Sequence, residues 1–200
     1  MTGSAPAERS TRDRLVGAAA RLFQERGYAA TGLAEILALS GAPKGSLYHY
    51  FPGGKEDLAI AAAELAGARF RQSLAQEMDD ASSTPDLVRK FGARLAGWLD
   101  KSGFTQGCPL ATLALEQAPH SPALSATLSE LLDGWQTVLA GRLEADGLGP
   151  ARSAELATLI LSGLEGALIL ARVAHNTAPL DRSVTALSSL IAAEISRLAR

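Results

Sequence analysis

The sequence predicts an all-α fold of about nine helices. Three observations predict it. Apolar residues recur at helical spacing along most of the chain. The period-2 alternation of a half-buried strand does not recur. Stretches rich in Gly, Pro, Ser and Asp, as at 79–85, 101–109 and 118–122, interrupt the helical pattern and read as loops. A hydrophobic share of 47% over 200 residues supplies a packed core and excludes a disordered chain.

The elements follow in order. Leu15, Val16, Ala19, Leu22 and Phe23 fall on one face of a first helix. Ser10 or Thr11 caps its start and Gly27 ends it. Residues 1–9 read as a mobile arm. Leu33, Ile36 and Leu37 give a short second helix, with Thr31 placed to cap it. Gly41 breaks the chain, and Pro43 suits the first turn of a third helix. There Leu47 and Phe51 stand four apart and point inward together, and Gly53 and Gly54 end the helix. Longer helices are expected at about 55–78, 86–99, 110–117, 123–145, 153–175 and 183–198. Residues 1–55 read as one domain and 56–200 as a second.

Charge is unevenly spread. Residues 1–55 hold seven basic and four acidic residues, a net of +3. The other 12 basic and 17 acidic residues give −5, which together make the chain's −2. A basic head on an acidic body suits a polyanion partner at the head alone. Cys108 is the one cysteine, so no disulfide forms within the chain and a reducing cytoplasm is expected. The longest apolar stretch, Leu164–Val173, is broken by Glu165, Gly166 and Arg172, so no membrane span is expected. The polar start is unlike a secretory signal. His49, His120 and His175 are scattered, with no metal-ligand spacing, nucleophile elbow or phosphate loop. The reading is therefore not an enzyme, with no metal and no cofactor.

The stretch "KGSLYHYF", Lys44–Phe51, puts four rings at consecutive positions 48–51. Neither the helical nor the strand period buries them all, so some face outward. Helices two and three form a helix–turn–helix, whose second helix enters the major groove of DNA. Lys44, Gly45, Ser46, Tyr48, His49 and Tyr50 suit its outer face, while Leu47 and Phe51 hold it from behind. Tyr hydroxyls and His nitrogens bond phosphate oxygens. Lys55 adds charge at the next helix's N-terminus. A helical module that binds only protein would explain the helices but not this outward chemistry.

The run from Leu15 to Leu58 resembles the DNA-binding head of the TetR family of bacterial transcription regulators. The matching residues include Ala19–Ala20, Leu22–Phe23, Gly27–Tyr28, Thr31, Ile36, Gly41, Lys44–Phe51, Lys55 and Leu58. The resemblance implies phosphate contacts by Thr31, Tyr48, His49 and Lys55, and approach to base edges by Lys44, Gly45 and Ser46. Two departures stand out. The turn before Lys55 is lengthened to Pro52-Gly53-Gly54, and Pro43 replaces a frequent capping Ser or Thr. The long turn, with "GCPLATLALE" at 107–116, is similar to the branch that includes lincomycin-resistance repressors.

In the body, Leu159, Gly163, Ala167, Ala171 and Ala174 form a stripe of mostly small residues. Val184, Leu187, Ile191, Ile195 and Leu198 form a long apolar face. From spacing alone, both suit either the chain's own core or a partner's. The resemblance implies a homodimer through a four-helix bundle, reading half-sites about 34–36 Å apart. The middle helices offer Trp98, Leu99, Phe104, Cys108, Leu110, Leu113, Gln117, Leu131, Trp135 and Leu168 as core or as walls of an apolar pocket. Cys108 reads as core or pocket wall in preference to a thiol sensor; Pro109 after it marks a helix start, which favours a thiolate. Together these imply a cytoplasmic repressor of double-stranded operator DNA, released when a small, mostly apolar inducer shifts the 55–78 helix.

Overall fold

The computed structural model describes residues 10–198, so the arm expected at 1–9 lies outside the described residues. Nine α-helices run through them: α1 Thr11–Arg26, α2 Leu33–Ser40, α3 Lys44–Tyr50, α4 Lys55–Asp80, α5 Thr84–Lys101, α6 Pro109–Gln117, α7 Pro122–Ala145, α8 Pro150–Ala174 and α9 Ala178–Leu198. Among the described residues there is no strand.

Local chemistry sets the ends. Ser10 caps α1, its hydroxyl accepting from Asp13 N–H at 3.1 Å. Gly27, at φ 86°, ends it in a conformation that favours glycine. The cap expected of Thr31 falls instead to Gly32, whose N–H donates to the Glu35 carboxylate at 3.0 Å. Thr31 is 1% exposed, and its hydroxyl donates to Gly27 O at 2.7 Å. Pro43 lies just outside α3 as an extended N-cap rather than in its first turn. Pro85, Pro109, Pro122 and Pro150 each stand in the first turn of a helix, where a missing N–H costs nothing. Prolines read as loop thus open helices, and α5, α6, α7 and α8 begin one to three residues earlier than expected.

Two apolar clusters fill the molecule. The first joins α1–α3 to the N-terminal half of α4, to Leu110 and Leu113 of α6, and to Leu124, Leu128 and Trp135 of α7. The second joins α5, α8 and α9 to Leu74 of α4 and to Leu139 and Leu143 of α7. Two close approaches tighten them. A Cβ on Gly67 of α4 would collide with Leu131, and one on Gly92 of α5 with Val184. A mid-helix glycine costs roughly 0.5–1 kcal/mol relative to alanine, a cost the closer helix packing offsets.

This packing corrects the stripe assigned to a partner. Ala167, Ala171, Val184, Leu187 and Ile191 are buried in the chain's own core, and Ile195 packs against it. A Cβ on Gly163 would stand 3.1 Å from Leu187 Cδ1. Of that set only Leu159, Ala174 and Leu198 are exposed. The reason is that α8 and α9 spend these faces on each other and on α5. By length and composition α8 would suffice to cross a bilayer, contrary to the sequence expectation. Its buried side, however, packs in a protein core, and it carries Glu165 and Arg172.

Candidate functional site

The first site is the outer face of α3. Leu47 is fully buried and Phe51 nearly so, and together they fix the helix to α1 and α4. That fixes what faces outward. Lys44, Gly45, Tyr48, His49 and Tyr50 are exposed, and Ser46 is half-buried. Tyr48 is 54% exposed and Tyr50 42%. The His49 and Tyr50 rings meet edge to face at 4.9 Å between centroids. Behind α3, Asp57 closes the Gly53-Gly54 turn by accepting from Gly53 N–H at 2.7 Å. Lys55 lies beside this face with its ammonium 4.2 Å from the Tyr28 ring centroid, a cation–π contact. Burial holds the Lys55 ammonium below its ordinary range, and the Glu116 carboxylate opposes that shift. Thr31, grouped with these residues by sequence, has its hydroxyl turned inward and does not join the face.

The second site is a cavity of about 780 Å³ between α1, α4, α5, α7, α8 and the 102–109 segment. Of the expected wall residues, Trp98, Leu99, Cys108, Trp135 and Leu168 line it. Phe104 lines an adjoining cavity of about 640 Å³, with Cys108 and Leu168 in the wall shared by the two. Leu110 and Leu113 are plain core, and Leu131 is taken up by its contact with Gly67. Gln117 ends α6 away from both cavities. Core and wall share one apolar composition, so spacing could not separate them.

Residues missed in sequence supply the rest. The Phe70 ring stacks on Trp135 at 3.7 Å and meets Phe91 edge-on at 4.9 Å, and Phe91 meets Trp98 at 6.5 Å. An aromatic ribbon therefore runs along one wall. Glu165 stands in the wall shared by both cavities. Its presence was legible as the charge that breaks the Leu164–Val173 run. Burial pushes its carboxyl above the usual carboxylate range, against the Cys108 thiol, which bonds it. Burial first, then the neighbouring Glu165 charge, push the Cys108 thiol well up. The backbone N–H groups of Leu110 and Ala111 at the α6 N-terminus pull the other way without overcoming them, which agrees with the reading of Cys108 as pocket wall in preference to a thiol sensor.

Two ties join the cavity wall to α1, and a third joins α6 to the turn after it. Gln24 donates from its amide nitrogen to Gly107 O at 2.7 Å. Gln106 donates to the Glu25 carboxylate at 3.1 Å. The Glu116 carboxylate of α6 accepts from Ala29 N–H at 2.8 Å and covers Gly27. A fourth contact, Ser121 to Glu56, holds the start of α4 to the loop before α7.

Known proteins resemble the chain in both its N-terminal and its C-terminal part. Residues 15–62 match the model of the tetR family of bacterial regulatory proteins, and residues 85–186 match that of the C-terminal domain of LmrA/YxaF-like transcriptional regulators. The chain is 37% identical over 170 residues to the uncharacterized HTH-type transcriptional regulator YxaF of Bacillus subtilis, covering 85% of this chain and 89% of that one. It is 35% identical to the HTH-type transcriptional regulator LmrA of the same organism, over 85% of this chain and 90% of that one. It is also similar to the crystal structure of a regulatory protein TetR from Rhodobacter sphaeroides. There the identity is 28% and the TM-score 0.80, over 90% of this chain and 97% of that one.

Proposed function

From the membership of this chain in the TetR family of bacterial transcription regulators, we propose that it is a cytoplasmic homodimeric repressor that leaves its operator when a small, mostly apolar inducer binds. The observation that carries the DNA reading is the outer face of α3, where polar and aromatic groups stand out while Leu47 and Phe51 lock the helix beneath. Lys44, Gly45 and Ser46 approach base edges in the major groove. Tyr48, His49, Tyr50 and Lys55 bond phosphates and set the register. Thr31 positions the turn before α2 and makes no contact through its hydroxyl. We place the change of role at about residues 55–56, although one core runs across it.

The dimer forms on the exposed side of α8 and α9, not on the stripe buried between them. Leu159, Ser162, Gly166, Leu170 and Val173 recur at helical spacing on the outer side of α8, and Leu190 lies exposed on α9. A patch of this kind marks an interaction surface. The inducer enters the larger cavity. It displaces Gly107 and Cys108, which pull on α1 through Gln24 and Gln106, and it bears on α4 through Phe70. Such coupling is typically about 1–3 kcal/mol.

The test is selection of bound sequences from a random duplex library at stated salt, followed by Tyr48→Ala. Enrichment of an inverted repeat is expected. Tyr48 is exposed, so its removal leaves the fold intact and weakens binding about tenfold or more, as loss of a charge-assisted hydrogen bond does. Binding without sequence preference, or unchanged by Tyr48→Ala at matched salt, sinks the reading. Lys55→Ala is the less clean variant, because Lys55 also packs over Tyr28.

A further inference from the structure

Two side chains that line the larger cavity each carry a buried polar atom with no hydrogen-bond partner among the described residues. One is the donor Trp135 Nε1, on a side chain 1% exposed. The other is the acceptor Glu165 Oε2. Buried polar groups are almost always paired, so each such atom asks for an explanation. Thr84, Ser153 and Ser188 also carry unpartnered hydroxyls, but those side chains line neither cavity. Trp135 and Glu165 line the same one.

The surroundings of Glu165 narrow the chemistry. It is the single acidic residue lining the larger cavity among the described residues. Its neighbour is a weak donor, the Cys108 thiol. No ion pair holds it among the described residues: Arg21, Arg69 and Lys101 line the cavity at exposed positions, Arg21 is paired with Glu25 at 3.0 Å, and Arg172, which lines the adjoining cavity with Glu165, lies beside Gly107. The lone carboxyl sits opposite an aromatic wall of Trp135, Phe70 and Trp98. Aromatic faces attract a cation as well as a flat ring.

Taking the cavity as the inducer site, we propose that its ligand is an aromatic amine. Its ring system lies against the Trp135–Phe70 wall, and its protonated nitrogen is received by the Glu165 carboxylate. The proposal rests on the regulatory reading for the site's purpose but not for its chemistry. Burial holds the empty site's carboxyl toward its neutral form, and a bound ammonium supplies the missing countercharge. A neutral alcohol supplies a hydrogen bond alone, and a carboxylate ligand brings a second acid and no countercharge.

Isothermal titration calorimetry on the full chain tests this with three probes on one ring: 2-naphthylmethylamine, 2-naphthylmethanol and 2-naphthoate. The amine is expected to bind about tenfold or more tighter than the other two, as a charge-assisted hydrogen bond requires. Glu165→Gln should remove that preference while leaving alcohol binding within about twofold, a change small beside one hydrogen bond. Glu165→Asp, which keeps the charge, should keep part of the preference and guards against a variant that misfolds. Equal binding of amine and alcohol, a preference for naphthoate, an amine preference that survives Glu165→Gln, or no saturable amine binding overturns the proposal. Duplex selection on the same preparation keeps the two readings apart. A protein that enriches an inverted repeat but ignores the amine refutes only the ligand class. One that binds the amine but enriches nothing refutes only the regulator.

Discussion

At the scale of single residues, Glu165 concentrates the consequences. A carboxyl whose folded pKa stands above its unfolded value binds its proton more tightly when folded. Between those two values the native state carries more protons than the unfolded state, so stability falls as pH rises through the window. Burial causes the upward shift here. Glu165→Met, which removes the carboxyl at similar length, should therefore stabilise the ligand-free chain near pH 7 by about 1 kcal/mol or more, the low end of the cost of an unpartnered buried polar atom. The gain should shrink as the pH falls toward about 4, the ordinary glutamate range. Urea unfolding of both proteins between those limits measures it. Staying below pH 7.5 keeps the Cys108 thiol, itself pushed up, out of the titration. A difference that does not vary with pH would mean that Glu165 keeps an ordinary pKa when folded. The sequence showed this residue only as a flaw in an apolar run. A charge inside such a run looks the same whether it faces water or a cavity, and only packing separates them. The same limit hid Thr31, whose hydroxyl serves a carbonyl four residues back instead of a cap.

At the scale of elements, the short helices near the N-terminus were legible because their signals are local. Gly27 and Gly41 end elements where glycine is expected to, whereas α3 already ends at Tyr50 with Phe51 as its C-cap, and the Gly53-Gly54 pair expected to end it leads into α4 with Gly54 as N-cap. The contacts that tie those helices to the body were not legible, because they join residues far apart in sequence. Glu116 covers Gly27 and accepts from Ala29 N–H across 87 positions. Gly27 is held at φ 86°, and a Cβ there would lie well inside contact distance of the Glu116 carboxylate. Gly27→Ala should therefore destabilise by roughly 2 kcal/mol, as strain at a left-handed φ combines with displacement of that carboxylate. Glu116→Ala should cost about 1 kcal/mol, the value of its hydrogen bond. The two should not add. With Glu116 removed, the alanine at 27 meets only backbone strain, and the double variant should fall short of the sum by about 0.5 kcal/mol or more. Chemical unfolding of the four proteins completes the cycle. Strict additivity would mean that Glu116 does not press on the α1–α2 turn, and the route from α6 to the head would lose its anchor.

At the scale of the whole molecule, the all-α architecture followed from periodicity, but which side of α8 and α9 the chain leaves uncovered did not. Both sides of each helix carry apolar residues. Spacing finds the faces without saying which one the chain uses for itself. The chain buries Ala167, Ala171, Val184, Leu187 and Ile191 and leaves Leu159, Ile169, Leu170, Val173 and Leu190 open. This reverses the logic of a disruption test. A bulky residue at Gly163 would drive into Leu187 and break the monomer's own core, so its failure to dimerise would say nothing about a partner. A charge at Leu170, 60% exposed, costs the monomer little. Leu170→Glu should therefore leave helix content and thermal unfolding of the subunit nearly unchanged. It places two like charges near a two-fold axis in an apolar interface, where each unpaired charge costs several kcal/mol. Sedimentation should then show a dimer for the parent chain and a monomer for the variant. Affinity for an inverted-repeat operator should fall steeply, because two tethered heads bind far more tightly than one. A variant that stays dimeric would move the interface off this face. One that becomes monomeric yet holds the operator as tightly as before would show that a single head suffices.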